Sequence, residues 1–213
     1  MRNFSPNQYA LIVKEIRERI LSAEIISNEN KNIVFIESTS LQIRKILELI
    51  AYLSVLVNNE KLNHKSKNEY HAERIIKSLS DKTTVFYPFP SHIIPANNNS
   101  EQPTIIPIGY KYALSQDDFI KAYSKCGKIL HAQHPLKKNI NIEEYVRENQ
   151  KILNQLKELL TRHTIGIRHD ENKYTFLHVE IDFTNNINTK QSIIREYKTH
   201  IFNENQLMQI FQG

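Results

Sequence analysis

Two stretches of this sequence carry, at helical spacing, side chains able to do chemistry. The first reads Phe35-Ile36-Glu37-Ser38-Thr39-Ser40-Leu41-Gln42-Ile43-Arg44-Lys45-Ile46-Leu47-Glu48-Leu49-Ile50. Glu37, Arg44 and Glu48 stand seven and four residues apart, so a helix puts them on one face, and Tyr52 extends the row. A charged line beside apolar residues must be paired or wet. The bland outcome is an intrahelical Arg44–Glu48 pair that also bonds a neighbouring helix, worth about 0.5 kcal/mol or less if exposed. The functional outcome is a buried network with a ligand. The second stretch is Tyr123-Ser124-Lys125-Cys126-Gly127-Lys128-Ile129-Leu130-His131-Ala132. Its Tyr123, Gly127 and His131 are spaced by four and share a face. Glycine in mid-helix costs about 1 kcal/mol relative to alanine, so another group is expected against Gly127. His131 could be a general base or a phosphate contact there, although a histidine at a helix end is as readily a core or capping residue.

Other chemistries lack their residues. Cys126 is the sole cysteine, which removes disulfides and thiolate zinc clusters and fits a reducing compartment. Lys125 and Lys128 beside that thiol could lower its pKa, but burial of a lone helical cysteine is the simpler expectation. No glycine-rich phosphate loop, nucleophile elbow or two-histidine zinc helix is present. His163, His169 and His178 could meet and bind metal, yet scattered histidines in a hairpin are expected at the surface, so neither metal nor cofactor is expected. The net charge of +5 and the cluster Lys121, Lys125, Lys128, Lys137, Lys138 would attract polyanions, although so dispersed an excess also suits a solvated surface.

The elements that must position these groups are mostly helical. Only 4 Gly and 7 Pro occur in 213 residues, and four of the prolines fall between Phe86 and Pro103, leaving the rest nearly free of helix breakers. Ser5-Pro6 starts a first helix with Tyr9, Ile12, Val13, Ile16, Ile20 and Ala23 inward and Lys14, Glu15, Arg17, Glu18 and Arg19 outward. A second, central helix over 33–60 is apolar around much of its circumference. A third over 68–80 is expected to bury Tyr70, Ile75, Ile76 and Leu79. Residues 83–114 form an aromatic- and proline-rich extended excursion, a loose hairpin packed on the bundle. Helices over 115–133 and 142–162 follow, and then the apolar period changes from helical to alternating, with a hairpin turning at Asp170-Glu171-Asn172-Lys173 and a third strand or short helix from Ile193 to Phe202. The fold class is therefore α+β, mainly α: about five helices in 1–162 and a small antiparallel β-hairpin or meander in 163–213. No apolar run approaches the roughly 18 to 20 residues that span a bilayer, and the first residues lead into a charged helix, which points to the cytoplasm and no membrane partner.

The helix Leu41-Gln42-Ile43-Arg44-Lys45-Ile46-Leu47-Glu48-Leu49-Ile50, the segment Phe86-Tyr87-Pro88-Phe89-Pro90 and the helix with Tyr123, Cys126, Gly127, Leu130, His131 and Ala132 together resemble a family of uncharacterised bacterial proteins, over 33–164. That family in turn resembles the HEPN superfamily of helical bundles, many of which are metal-independent RNases of toxin, antiphage or RNA-processing systems. In those RNases an Arg separated from a His by four to six intervening residues pairs its motif with that of a second chain across a homodimer. The matching place here is Lys125 to His131, with lysine where the superfamily has arginine; Lys lacks the bidentate fork, which weakens transition-state stabilisation. Arg162 to His169 also fits the spacing but straddles a helix end and a strand. The resemblance implies His131 as general acid or base, Lys125 and Arg44 as phosphate contacts, Glu37 or Glu48 orienting them, Tyr52, Tyr123, Gly127 and Lys128 lining the site, and RNA and a second copy as partners. The alternative is a non-catalytic interaction module, a defence-system accessory that grips a protein with Phe86 to Pro107.

Overall fold

The computed structural model describes residues 5–29, 32–58, 62–94, 104–131, 141–170, 173–184 and 191–199. Helix α1 spans Pro6–Glu29, with proline at its first position, where the missing N–H is no loss, and the Ser5 hydroxyl accepting the Gln8 N–H. Asn32 caps α2, Ile33–Val57, by accepting the Phe35 N–H at 3.1 Å. At the other end the Asn58 side chain donates to the Ser54 carbonyl, so α2 stops short of the expected residue 60. A single turn α3, His64–Lys67, precedes α4, Ala72–Ser80. The sequence placed this helix start at residue 68 with Tyr70 inward, and both expectations fail: Tyr70 is 77% exposed and lies outside the helix. The Glu69 carboxylate accepts the N–H groups of Tyr70 and His71, offering the backbone a turn in place of a helix, and Ala72 takes the buried position.

The excursion supplies strands β1, Phe89–Ile94, and β2, Thr104–Pro107. Helix α5, Gln116–Ile129, is capped by the Ser115 hydroxyl accepting the Asp118 N–H, and α6, Ile142–Thr161, by the Asn141 side chain accepting the Glu144 N–H. The fourth helix expected from the sequence ran to residue 133; α5 ends at Ile129, and 132–140 lie outside the described residues. Strands β3, Arg162–Asp170, β4, Lys173–Ile181, and β5, Ser192–Thr199, complete an antiparallel sheet of order β2-β1-β3-β4-β5. Of the two options for the last element, the strand is the one formed, and its expected extension to Phe202 falls outside the described residues.

Helix α2 lies at the centre, touching α1, α4, α5 and α6, and its Ile43, Ile46, Leu47, Ile50 and Leu53 are fully buried. Burying each such side chain contributes roughly 1.5–3 kcal/mol. The sheet presents Ile165, Leu177, Val179 and Ile181 to the same core, so the helical and β parts, which meet where α6 runs directly into β3, share one hydrophobic cluster. One polar pair inside it joins α6 to α2: the Asn149 amide donates to the Ser40 hydroxyl at 2.9 Å and to the Ile36 carbonyl at 3.3 Å.

The excursion is a structural part of the sheet. Val85, Phe86 and Tyr87 are buried, the Tyr87 hydroxyl donates to the Leu114 carbonyl, and its ring meets Phe119 of α5 edge-on at 6.0 Å. Phe89 and Pro90 then pair with Thr164 and His163. On the sheet face away from the helices, Val85, Phe89, Tyr174 and Phe176 form a second apolar cluster. The chain crosses there over Gly166, whose N–H donates to the Val85 carbonyl at 2.9 Å. A Cβ on Gly166 would stand 2.5 Å from Val85 Cγ2 and 3.1 Å from Phe176, which explains the glycine. Gly166→Ala is expected to lose about 1–3 kcal/mol of unfolding free energy by overpacking. Urea denaturation of G166A and of G166A/V85A checks it: the double variant should lose less than the two separate losses combined.

Candidate functional site

Helices α2 and α5 lie side by side and bring together Arg44, Glu48, Tyr123 and Gly127. Arg44 stacks on the Tyr123 ring, with its guanidinium carbon 4.1 Å from the centroid, and its Nη2 donates to the Tyr123 hydroxyl at 2.8 Å. Arg44 Nε stands 3.4 Å from Glu48 Oε1, and the Tyr123 hydroxyl donates to the same oxygen at 3.5 Å. The other carboxylate oxygen, Oε2, takes the Lys45 ammonium at 2.8 Å, a partner the sequence reading missed although the i,i+3 spacing shows it. One carboxylate thus faces two cations, and the contact set keeps one excess positive charge. Side-chain exposures of 24% for Arg44 and 14% for Glu48 leave the cluster half-buried and within reach of solvent.

The group expected against Gly127 is this guanidinium: a Cβ on Gly127 would stand 2.6 Å from Arg44 Nη1. Burial first, then the Glu48 carboxylate, raises the Tyr123 phenol above its usual pKa, against the pull of Arg44 and the Ala72 backbone amide. Tyr52, one turn beyond Glu48, is likewise raised by burial and then by Glu48, and it lines a groove of about 600 Å³ with Leu11, Ile12 and Val55.

The remaining residues of the expected site lie elsewhere. Lys125 is tied to α6, its Nζ 3.5 Å from Glu148, 3.8 Å from Glu144 and 5.4 Å from the Tyr145 ring centre, so its charge is already answered. Glu37 is half-buried two turns before Arg44 on α2, and Lys128 is exposed in the last turn of α5. His131 is exposed just past the Leu130 cap, and no hydrogen bond or ion pair joins it to Arg44, Glu48 or Tyr123. Cys126 is an inert core thiol: burial pushes it up to about 12, against Arg44 and Lys125, so the low-pKa alternative fails.

Two histidines expected at the surface are instead buried in the sheet, His163 at 0% and His178 at 1% exposure. Ser91, Thr164 and His178 form a hydrogen-bonded row across β1, β3 and β4, with 2.6 Å between the hydroxyls and 3.1 Å to His178 Nδ1. His178 Nε2 lies 3.6 Å from Glu180, which Arg195 also holds. His163 sits across the strand: Thr164 turns its side chain to the opposite face. His163 Nδ1 donates to the Leu160 carbonyl at 3.1 Å and Nε2 has no partner. Arg162 contacts His92, and His169 contacts Thr175, so their formal motif spacing brings no pair together. Among the described residues no group of three potential metal ligands occurs, and no helix is long and apolar enough to cross a membrane.

Comparison with known proteins returns no match among family models, curated proteins or solved structures.

Two outcomes follow from this geometry. Burial lowers the His163 pKa to about 4, so the unfolded chain takes up that proton near pH 6.5 while the folded one resists until about pH 4. The resulting stability is complete above about pH 6.5 and is lost on acidification toward about pH 4, by about 3 kcal/mol. Urea titrations at pH 7 and 4.5 should show a shallower pH slope for His163→Gln than for the natural chain. Gly127→Ala is expected to change unfolding free energy by no more than about 1 kcal/mol, because the gain in helix propensity offsets the displaced Arg44 contact. Chemical denaturation of G127A measures that difference.

Proposed function

We propose that the protein is a HEPN-like RNA-binding protein whose Arg44 cluster, between α2 and α5, contacts an RNA phosphate, with the catalytic pair of the RNase members degenerate. The observation that carries this reading is the Arg44 guanidinium, held face-on over Tyr123 and against Gly127, with its counter-ion Glu48 shared with Lys45. Such a guanidinium is already oriented and part-exposed, so an incoming phosphate oxygen costs little side-chain entropy to engage. Binding is favoured over cleavage because Lys125 is neutralised by Glu144 and Glu148 and because His131 makes no contact with the cluster. The overall charge of +5 adds long-range attraction for a polyanion.

Fluorescence anisotropy with a single-stranded RNA tests the reading. About three phosphate contacts predict roughly tenfold weaker binding between 50 and 200 mM salt. Arg44→Lys and the fold-neutral Gly127→Ala should each weaken binding by about tenfold, since both undo the stacked fork. His131→Ala should leave binding unchanged, and no RNA should be cut by the natural chain. Absence of RNA binding at low salt overturns the proposal; cleavage that His131→Ala abolishes restores the RNase form of it.

A second reading, a protein-interaction module, is favoured by the ribbon of β1 and β2. There Ile94 is 51% exposed, Ile108 50% and Tyr112 68%, an apolar exposure beside β2, the edge strand of the sheet among the described residues. Association with a protein that is insensitive to salt and lost in Ile106→Asp would favour it.

A further inference from the structure

The sequence pattern places Arg17 among the outward charges of α1, yet in the fold it is only 7% exposed. Its Nε donates to the Asp182 carbonyl and its Nη2 to the Thr184 carbonyl at 2.7 Å, tying α1 to the segment after β4. Both acceptors are neutral. The Asp182 carboxylate is turned to the Thr184 N–H at 2.7 Å, and among the described residues no carboxylate forms an ion pair with Arg17. The third nitrogen, Nη1, has no partner among the described residues. A buried guanidinium answered only by dipoles, with donors left over, is an unusual charge to leave in a fold.

Arg17 borders a groove of about 440 Å³ between α1 and the start of β5. Lys14 lines it one turn nearer the start of α1, and that ammonium is held only by a long, exposed contact of 3.8 Å to Glu18. The neutral donors Asn7, Gln191 and Ser192 face the same space, and among the described residues no carboxylate lines it. Leu11, 66% exposed, offers an apolar wall beside these cations. The volume lies within the range of small-molecule sites.

We infer that this groove binds a small organic oxyanion, a carboxylate or phosphate monoester on an aliphatic body. The anionic head takes Arg17 Nη1 and Lys14 Nζ, and the body lies along Leu11. The guanidinium is positioned in advance by its two carbonyl bonds, so the head meets a fixed donor. This site is separate from the Arg44 cluster, and its test does not depend on RNA.

Calorimetric titration of the full chain with octanoate, octyl phosphate, octanol and inorganic phosphate decides the matter. At least one of the two amphiphilic anions is expected to bind saturably and about tenfold or more tightly than octanol and inorganic phosphate. Which of the two binds more tightly identifies the head. Lys14→Gln, a change at an exposed position, should weaken that binding by about threefold to tenfold with the melting temperature of the free protein unchanged. Arg17→Gln should weaken it further; where that variant fails to fold, the Lys14→Gln comparison stands alone. Octanol binding as tightly as the anions, inorganic phosphate binding as tightly as the amphiphiles, no saturable heat with either anion, or full affinity in Lys14→Gln would each overturn the inference.

Discussion

The structure depends on α2 being surrounded. A helix packed against four others and a sheet must have the polar groups on its inward faces answered by a neighbour. Ser40 is answered by Asn149 of α6, and Arg44 by Tyr123 of α5 and by Glu48 on its own helix. These answers fix the rotation and height of α5 and α6 against α2 more narrowly than the apolar contacts, which tolerate sliding, can do. The same requirement makes the Arg44 cluster what it is. The guanidinium is too enclosed to move freely and too open to be an ordinary core pair, so it is held in one orientation with one edge toward water.

The helices were legible because their apolar residues recur at i, i+3, i+4 and i+7; α1 and α5 begin where Ser5 and Ser115 place them, and α6 at Ile142, where its apolar stripe begins. Gly127 was legible as a place of close approach, because a mid-helix glycine has no other reason to be there. What escaped were facts of long range. Nothing near Phe89 announces that it pairs with Thr164, since β pairing across such a separation leaves no local signal. Arg17 follows Ile16 and looks outward by period, and only the arrival of the Asp182 and Thr184 carbonyls makes it an inward residue. Lys125 was read as a free cation because Glu144 and Glu148 belong to another helix, and His163 and His178 as surface residues because the layer that covers them lies far off in the chain.

The site was partly visible for the same reason. Arg44 and Glu48 are one turn apart on a single helix, which spacing alone reveals, whereas whether His131 turns toward them depends on the backbone after the α5 cap. A residue just past a helix cap keeps the register of its helix in the sequence and loses it in space.

The joint between β1 and β3 has a consequence for how the molecule assembles. β3, β4 and β5 follow one another along the chain and pair along their lengths, whereas the backbone register of β1 with β3 is two pairs long, Phe89 with Thr164 and Pro90 with His163. Closing the long loop between them costs entropy that a two-residue joint repays poorly. The three-stranded meander should therefore form early, with the β1–β2 ribbon docking late, and amide hydrogens of that ribbon should exchange with solvent before those of β4.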